Sequence, residues 1–218
     1  RYKDFFITLD KESDVSKVTR PRTSPLLVKF DTKTGKKYVW ATFSADQVDL
    51  NFSNPEVLIE IIKITLEYVK NGADVIRLDA IGYIWKELGT NCIHQPRAHT
   101  IIQLIREILK QSAPWVKLIT ETNVPHKENI SYFGRGRDEA HMVYNFALPP
   151  LLLHTIQTGD AEALTKWADT LSTPSNQTTF LNFSASHDGI GISAVSGILS
   201  DIQISRMCTV VTERGGKL

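Results

Sequence analysis

The chain has 218 residues, with 25 lysines and arginines against 24 aspartates and glutamates for a net charge of +1, and it is 42% hydrophobic and 22% charged. That is the profile of an ordinary globular chain, and without a basic excess there is no electrostatic case for a nucleic acid or an anionic membrane surface as partner. The longest apolar run is far too short to cross a bilayer. Cys92 and Cys208 are too few for a disulfide framework and have no metal-ligand spacing, and no signal-peptide pattern is visible, so a reducing, cytoplasmic location without metal or other cofactor is expected. The length falls below the roughly 250 residues of a complete (β/α)8 barrel, and the sequence opens on Arg1 rather than Met.

Residues 1–50 are polar and loop-rich, with short strands expected near Leu26–Phe30 and Lys37–Trp40, joined across Asp31-Thr-Lys-Thr-Gly35. Ser53-Asn54-Pro55-Glu56 then opens a helix, whose apolar side is Val57, Leu58, Ile61, Ile62, Leu66 and Val69 and which Asn71-Gly72 stops. The branched run Ala73–Ala80 reads as a buried strand. A second helix spans about Pro96 to Gln111 with Ile101, Ile102, Leu104, Ile105, Ile108 and Leu109 as its apolar side, and Trp115–Glu121 is the next strand. Met142–Phe146 and Thr178–Phe183 are further strands, with a helix from Asp160 to Leu171 between them. Helices alternating with short branched strands predict parallel βα units.

Three of these strands finish in or just before an acid: Asp79, Glu121 and Asp188. At the carboxyl ends of parallel barrel strands such acids converge on one mouth, although a single strand-end acid equally serves as a helix cap or an ion-pair partner. Arg77 lies two residues before Asp79, so both point to one face of the strand, and the guanidinium favours the ionised carboxylate that a nucleophile needs. Glu121 suits the opposite role of a proton donor. One ionised and one protonated carboxyl about 5 to 5.5 Å apart is the arrangement of a retaining glycosidase.

Ala73-Asp-Val-Ile-Arg77-Leu-Asp79-Ala80, Ile119-Thr-Glu121 and Asn182-Phe-Ser-Ala-Ser-His187-Asp188 resemble the second, third and fourth signature regions of the α-amylase family. Val48-Asp49-Leu50-Asn51 with Asn54-Pro55 is similar to the lead into the helix before the nucleophile strand. Gly82–Thr90, Cys92-Ile-His94, Glu121–Gly134 and Leu148–Asp160 resemble the sucrose phosphorylase-like branch, including members that act on glucosylglycerate or phosphorylated sucrose. The resemblance implies an α/β fold: a partial (β/α)8 TIM barrel, about strands 4 to 7, in residues 51–218, preceded by a small loop-rich excursion in residues 1–50. It implies Asp79 as nucleophile, Glu121 as acid then base, and Asp188 as the carboxylate that stabilises the transition state. It further implies that Arg77 orients Asp79 and that His187 donates to a glucosyl hydroxyl.

In the phosphorylase version the partners are a small-molecule sugar donor and inorganic phosphate, the donor being sucrose, sucrose 6-phosphate or glucosylglycerate. Arg135 and Arg137, between Gly134 and Gly136, are candidates for holding phosphate, with Asn123 and His126 near the same loop. Gly-Arg-Gly-Arg also suits a solvated turn. Tyr83 and Trp85 are candidates for lining a sugar site, although aromatic residues there are more often packing. His94, His99, His141 and His154 lack ligand spacing and read as structural, and the Asn-X-Ser/Thr matches at Asn51, Asn129, Asn176 and Asn182 as chance.

The family's first signature, an aspartate followed by Asn-His, is missing, as are the first three strands and the eighth, so an internal piece of a larger enzyme, inactive alone, is expected. The rivals are an α-glucosidase or transglucosidase of the same family, and a non-catalytic amylase-fold scaffold.

Overall fold

The structure is a computed structural model that describes residues 2, 4–33 and 35–218. Arg1 and Lys3, and Thr34 of the expected turn, lie outside the described residues. The chain divides into two compact units, Arg1–Ile76 with Ala80–Val116, and Arg77–Asp79 with Lys117–Leu218.

The first unit holds a three-stranded sheet of β1 (Thr8–Leu9), β2 (Leu27–Thr32) and β3 (Gly35–Trp40), in the order β1-β3-β2 with antiparallel pairing throughout. The expected hairpin is present, in a register that runs from Leu27 opposite Trp40 to Thr32 opposite Gly35. Leu26, Trp40 and Cys92 are buried together, with Ile7, Leu9, Val15, Val18 and Leu27 against them.

Around that core lies a polar chain. The Trp40 indole donates to Thr42 Oγ1 at 3.1 Å, and Thr42 donates through N and Oγ1 to Asp49 Oδ2 at 2.8 and 2.6 Å. The ammonium of Lys86 lies 3.8 Å from Asp49 Oδ1, donates to the Tyr83 carbonyl, and sits over the Trp40 and Tyr83 rings at 5.7 and 5.8 Å. Burial pulls the Lys86 amine below the ordinary lysine range, and the Asp49 carboxylate opposes this.

Helix α1 (Pro55–Lys70) starts where expected, because Asn54 caps the Glu56 N–H at 3.0 Å and Pro55 occupies the first turn. Helix α2 (Pro96–Ser112) buries Ala98, Ile101, Ile102, Ile105, Arg106 and Leu109. Leu104 is exposed: at 100° per residue it falls well outside the arc that those six occupy.

The second unit is built on a sheet of order β4-β5-β6-β7, to which β4 (Val75–Leu78) contributes its C-terminal half. β5 (Lys117–Thr120), β6 (Met142–Tyr144) and β7 (Thr179–Leu181) pair in parallel, with Thr120 opposite Val143 and Tyr144 opposite Leu181. Leu118, Ile119, Thr120 and Val143 are buried, as expected for strands covered on both faces.

Helix α3 (His126–Ile130) follows β5. Helices α4 (Leu148–Thr158) and α5 (Glu162–Asp169) follow β6, and α6 (Asp201–Glu213) ends the unit. Their core is Phe146, Ala147, Leu151, Trp167, Ala194, Val195 and Leu199. α5 begins two residues later than expected, because the Asp160 carboxylate accepts the Glu162 N–H at 2.8 Å and leaves Asp160 outside the helix.

Neutral polar ties fasten the loops to the strand ends. Buried Asn129 accepts from Thr122 Oγ1 at 2.7 Å and donates to the Tyr144 carbonyl at 2.7 Å. Asn145 donates to Asn182 Oδ1 at 2.8 Å. Replacing Asn129→Ala strands a buried hydroxyl and a carbonyl, and should lower stability by about 2–3 kcal/mol. Urea unfolding tests this: a midpoint unchanged from the parent would remove Asn129 from the framework.

Candidate active site

β4 stops at Leu78 and β5 at Thr120, so Asp79 and Glu121 are each the first residue beyond a strand. The Glu121 N–H donates to the Leu78 carbonyl at 3.0 Å, which fixes the start of the loop that carries Glu121. Arg77 Nη1 lies 2.7 Å from Asp79 Oδ1, in line with two side chains on one face of a strand. The same guanidinium lies over the Tyr144 ring, 5.7 Å from its centroid.

Tyr144 stacks on Phe146 at 5.5 Å, and Phe183 meets both rings edge-on at 5.5 and 5.4 Å. Arg77 therefore has its carboxylate partner on one side and a braced aromatic face on the other, which limits the directions in which it can hold Asp79. Sequence reasoning overlooked Tyr144; an aromatic residue at the end of the strand after the Glu121 strand was the available signal. Ala80, next to Asp79, adopts φ 45° and ψ 33°, a left-handed conformation that costs an alanine roughly 1 kcal/mol or more.

Asp188 lies seven residues past β7, in a turn rather than at the strand end. Its N–H donates to Ser186 Oγ at 3.2 Å, Ser186 and Gly189 form an antiparallel bridge, and His187 Nε2 is 3.2 Å from Asp188 Oδ2. Both side chains are exposed. Asn123 packs against Gly191.

The Gly134–Arg137 segment is a tight turn. Gly134 and Gly136 have φ of 55° and 83°, Arg135 binds Asp138 through its N–H at 2.7 Å, and its Nε lies 3.7 Å from Asp138 Oδ2. Arg135 and Arg137 are both exposed. Tyr83 lies in the first unit, edge-on to Phe43 at 5.5 Å and beneath Lys86. Trp85 has Arg97 over its ring at 4.8 Å. Among the described residues no group of three or more His, Cys, Asp or Glu is arranged to hold a metal ion, and no helix is long and apolar enough to cross a membrane.

Residues 1–211 match the alpha-amylase family, described as the alpha amylase catalytic domain. The chain belongs to this family. Its four-stranded sheet is a part of the family's (β/α)8 barrel. Glucosylglycerate phosphorylase of Allomeiothermus silvanus is 55% identical over 100% of this chain and 39% of that protein. Glucosylglycerate phosphorylase of Escherichia coli K12 is 50% identical over 98% of this chain and 38% of that protein. The chain thus spans about two-fifths of the length of the curated relatives it matches. In fold it is similar to the crystal structure of sucrose 6F-phosphate phosphorylase from Thermoanaerobacter thermosaccharolyticum, with a TM-score of 0.83 at 24% identity over 100% of this chain and 45% of that one.

His126, weighed above as a phosphate contact, stacks on Phe180 at 5.9 Å and meets Trp167 edge-on at 6.1 Å. Burial between these rings lowers its pKa below the ordinary 6.5. The unfolded chain therefore takes up a proton near pH 6.5 that the packed imidazole refuses. The stability is fully present above that pH and is lost as pH falls through it toward the folded value. Unfolding midpoints at about pH 7.5 and about pH 5.5 should differ more for the parent than for His126→Phe; equal differences would refute the assignment.

Proposed function

We propose that this chain carries the reacting groups of a retaining glycoside phosphorylase that moves a glucosyl unit from an α-glucoside to inorganic phosphate. The observation that carries the reading is the pairing of two consecutive strand ends with two acids, Asp79 and Glu121, the first held by an arginine that is itself seated on Tyr144. In this reading residues 1–50 are the excursion and residues 51–218 belong to the catalytic barrel. Among the candidate donors glucosylglycerate is preferred, because three relatives at half identity or above carry that name and match nearly the whole chain.

In the first half-reaction the Asp79 carboxylate attacks the anomeric carbon as Glu121 gives its proton to the glycosidic oxygen. The bond to the leaving group breaks and a β-glucosyl ester of Asp79 forms. In the second, a phosphate oxygen attacks the same carbon while the Glu121 carboxylate takes the phosphate proton. The ester breaks and α-glucose 1-phosphate leaves, with Asp79 and Glu121 restored. Two inversions give net retention. Arg77 holds and aims Asp79, Asp188 stabilises the positive charge that builds on the ring, and His187 donates to a ring hydroxyl. Asn123 completes the substrate contacts, and Arg135 and Arg137 supply cations for phosphate.

The test uses the complete natural protein that carries this chain. Phosphate should stimulate release of glucose 1-phosphate from glucosylglycerate, and Asp79→Asn should lower turnover by about 10⁴-fold or more. Cleavage indifferent to phosphate would favour the glucosidase reading, and normal turnover in Asp79→Asn would leave a scaffold. Glu121→Gln, given a donor whose leaving group needs no proton, should accumulate glucosyl ester on Asp79, read by peptide mass spectrometry. A label on another residue would displace Asp79 as nucleophile.

A further inference from the structure

The segment from Asn182 to Leu199 has two fixed points. At one end the Ser186–Gly189 turn closes through the Gly189 N–H, which donates to Ser186 O at 3.0 Å. At the other, Ala194, Val195 and Leu199 are buried in the core with Leu151 and Trp167. Gly191 lies between them. Among the described residues nine glycines adopt positive φ, but Gly191 is not one of them. Its backbone accepts any residue, and the restriction is one of space. A Cβ built at Gly191 lies 2.3 Å from Asn123 Nδ2 and 3.0 Å from both Cγ and Oδ1 of the same residue. The three nearest atoms it meets all belong to one carboxamide.

We infer that Gly191 is a positioning residue whose missing side chain lets the Asp188 loop lie flat against the Asn123 carboxamide and thereby sets where that group points. The inference rests on the reading of Asn123 as a substrate contact. A carboxamide is uncharged and both donates and accepts, so its direction decides whether a substrate hydroxyl finds a partner. It follows β5 in the loop that begins with Glu121, whereas Gly191 follows Asp188. One steric contact thus joins the two loops that carry these acids. A methyl at 191 displaces the carboxamide toward ordinary contact distance by about 1 Å, an easy movement for the end of a side chain. Gly191→Ala should therefore fold as the parent does while losing what Asn123 supplies.

The experiment is a double-mutant cycle on the complete natural protein that carries this chain, with Gly191→Ala, Asn123→Ala and both together. Gly191→Ala should raise the KM for the glucoside about five- to tenfold, the size of one neutral hydrogen bond. The double variant should match Asn123→Ala, because removing the carboxamide removes the three atoms that the new methyl approaches most closely. Losses that add in the double variant would overturn the proposal, as would a parent-like Gly191→Ala beside an impaired Asn123→Ala. Crystal structures keep this separate from the functional reading. If no α-glucoside is phosphorolysed, that reading fails, while an Asn123 carboxamide displaced by about 1 Å in Gly191→Ala still upholds the steric claim and an undisplaced one sinks it.

Discussion

Parallel pairing of β5, β6 and β7 is the constraint on which the second unit depends. Parallel strands cannot be joined by a tight turn, so after each one the chain must leave the sheet, pass through a helix and return to the opposite edge. Every strand therefore ends on the same side, and whatever the sequence places just past a strand is carried to a common rim. Asp79 after Leu78, Glu121 after Thr120 and Asn145 after Tyr144 all occupy that position. The ladder itself is short, only three or four residues per strand, and cannot hold long loops steady by backbone hydrogen bonds alone. Asn129, Asn145 and the packed 3-10 turn at Ser193–Val195 take up that task.

Much of this architecture was legible in the residues. The Asn54-Pro55 helix start, the branched run ending in Asp79 and the strand ending at Glu121 each combine a local signal with a boundary that needs no distant partner. α4 and α6 were not assigned, although both carry readable ends: Leu148-Pro149-Pro150 with Gly159, and the Ser200–Gln203 capping box. Their apolar residues do not fall on one stripe. Ile156 and Ile202 are exposed while Leu151 and Met207 are buried, so periodicity gives a weak signal.

The site divides along the same line. That Arg77 and Asp79 share a face follows from strand geometry alone. The seat of Arg77 on Tyr144 and the approach of Gly191 to Asn123 join residues from different βα units, and no spacing within one segment encodes them. Asp188 was read as sitting near a strand end; it belongs instead to a turn fixed by Ser186 and Gly189, which local sequence signals only through the glycine.

The ties in the second unit differ in kind from what they carry. Asn129 to Tyr144, Asn145 to Asn182 and Thr122 to Asn129 are all bonds between uncharged groups, and each engages one of two buried carboxamides, Asn129 or Asn145. No charged side chain takes part in these three bonds. In the cycle proposed above, ester formation on Asp79 removes one negative charge while proton loss from Glu121 adds one, and none of these supports is built from ions that such a redistribution would repel. Uncharged ties of this kind couple only weakly to the charge shift that the proposed cycle would bring to the two strand ends.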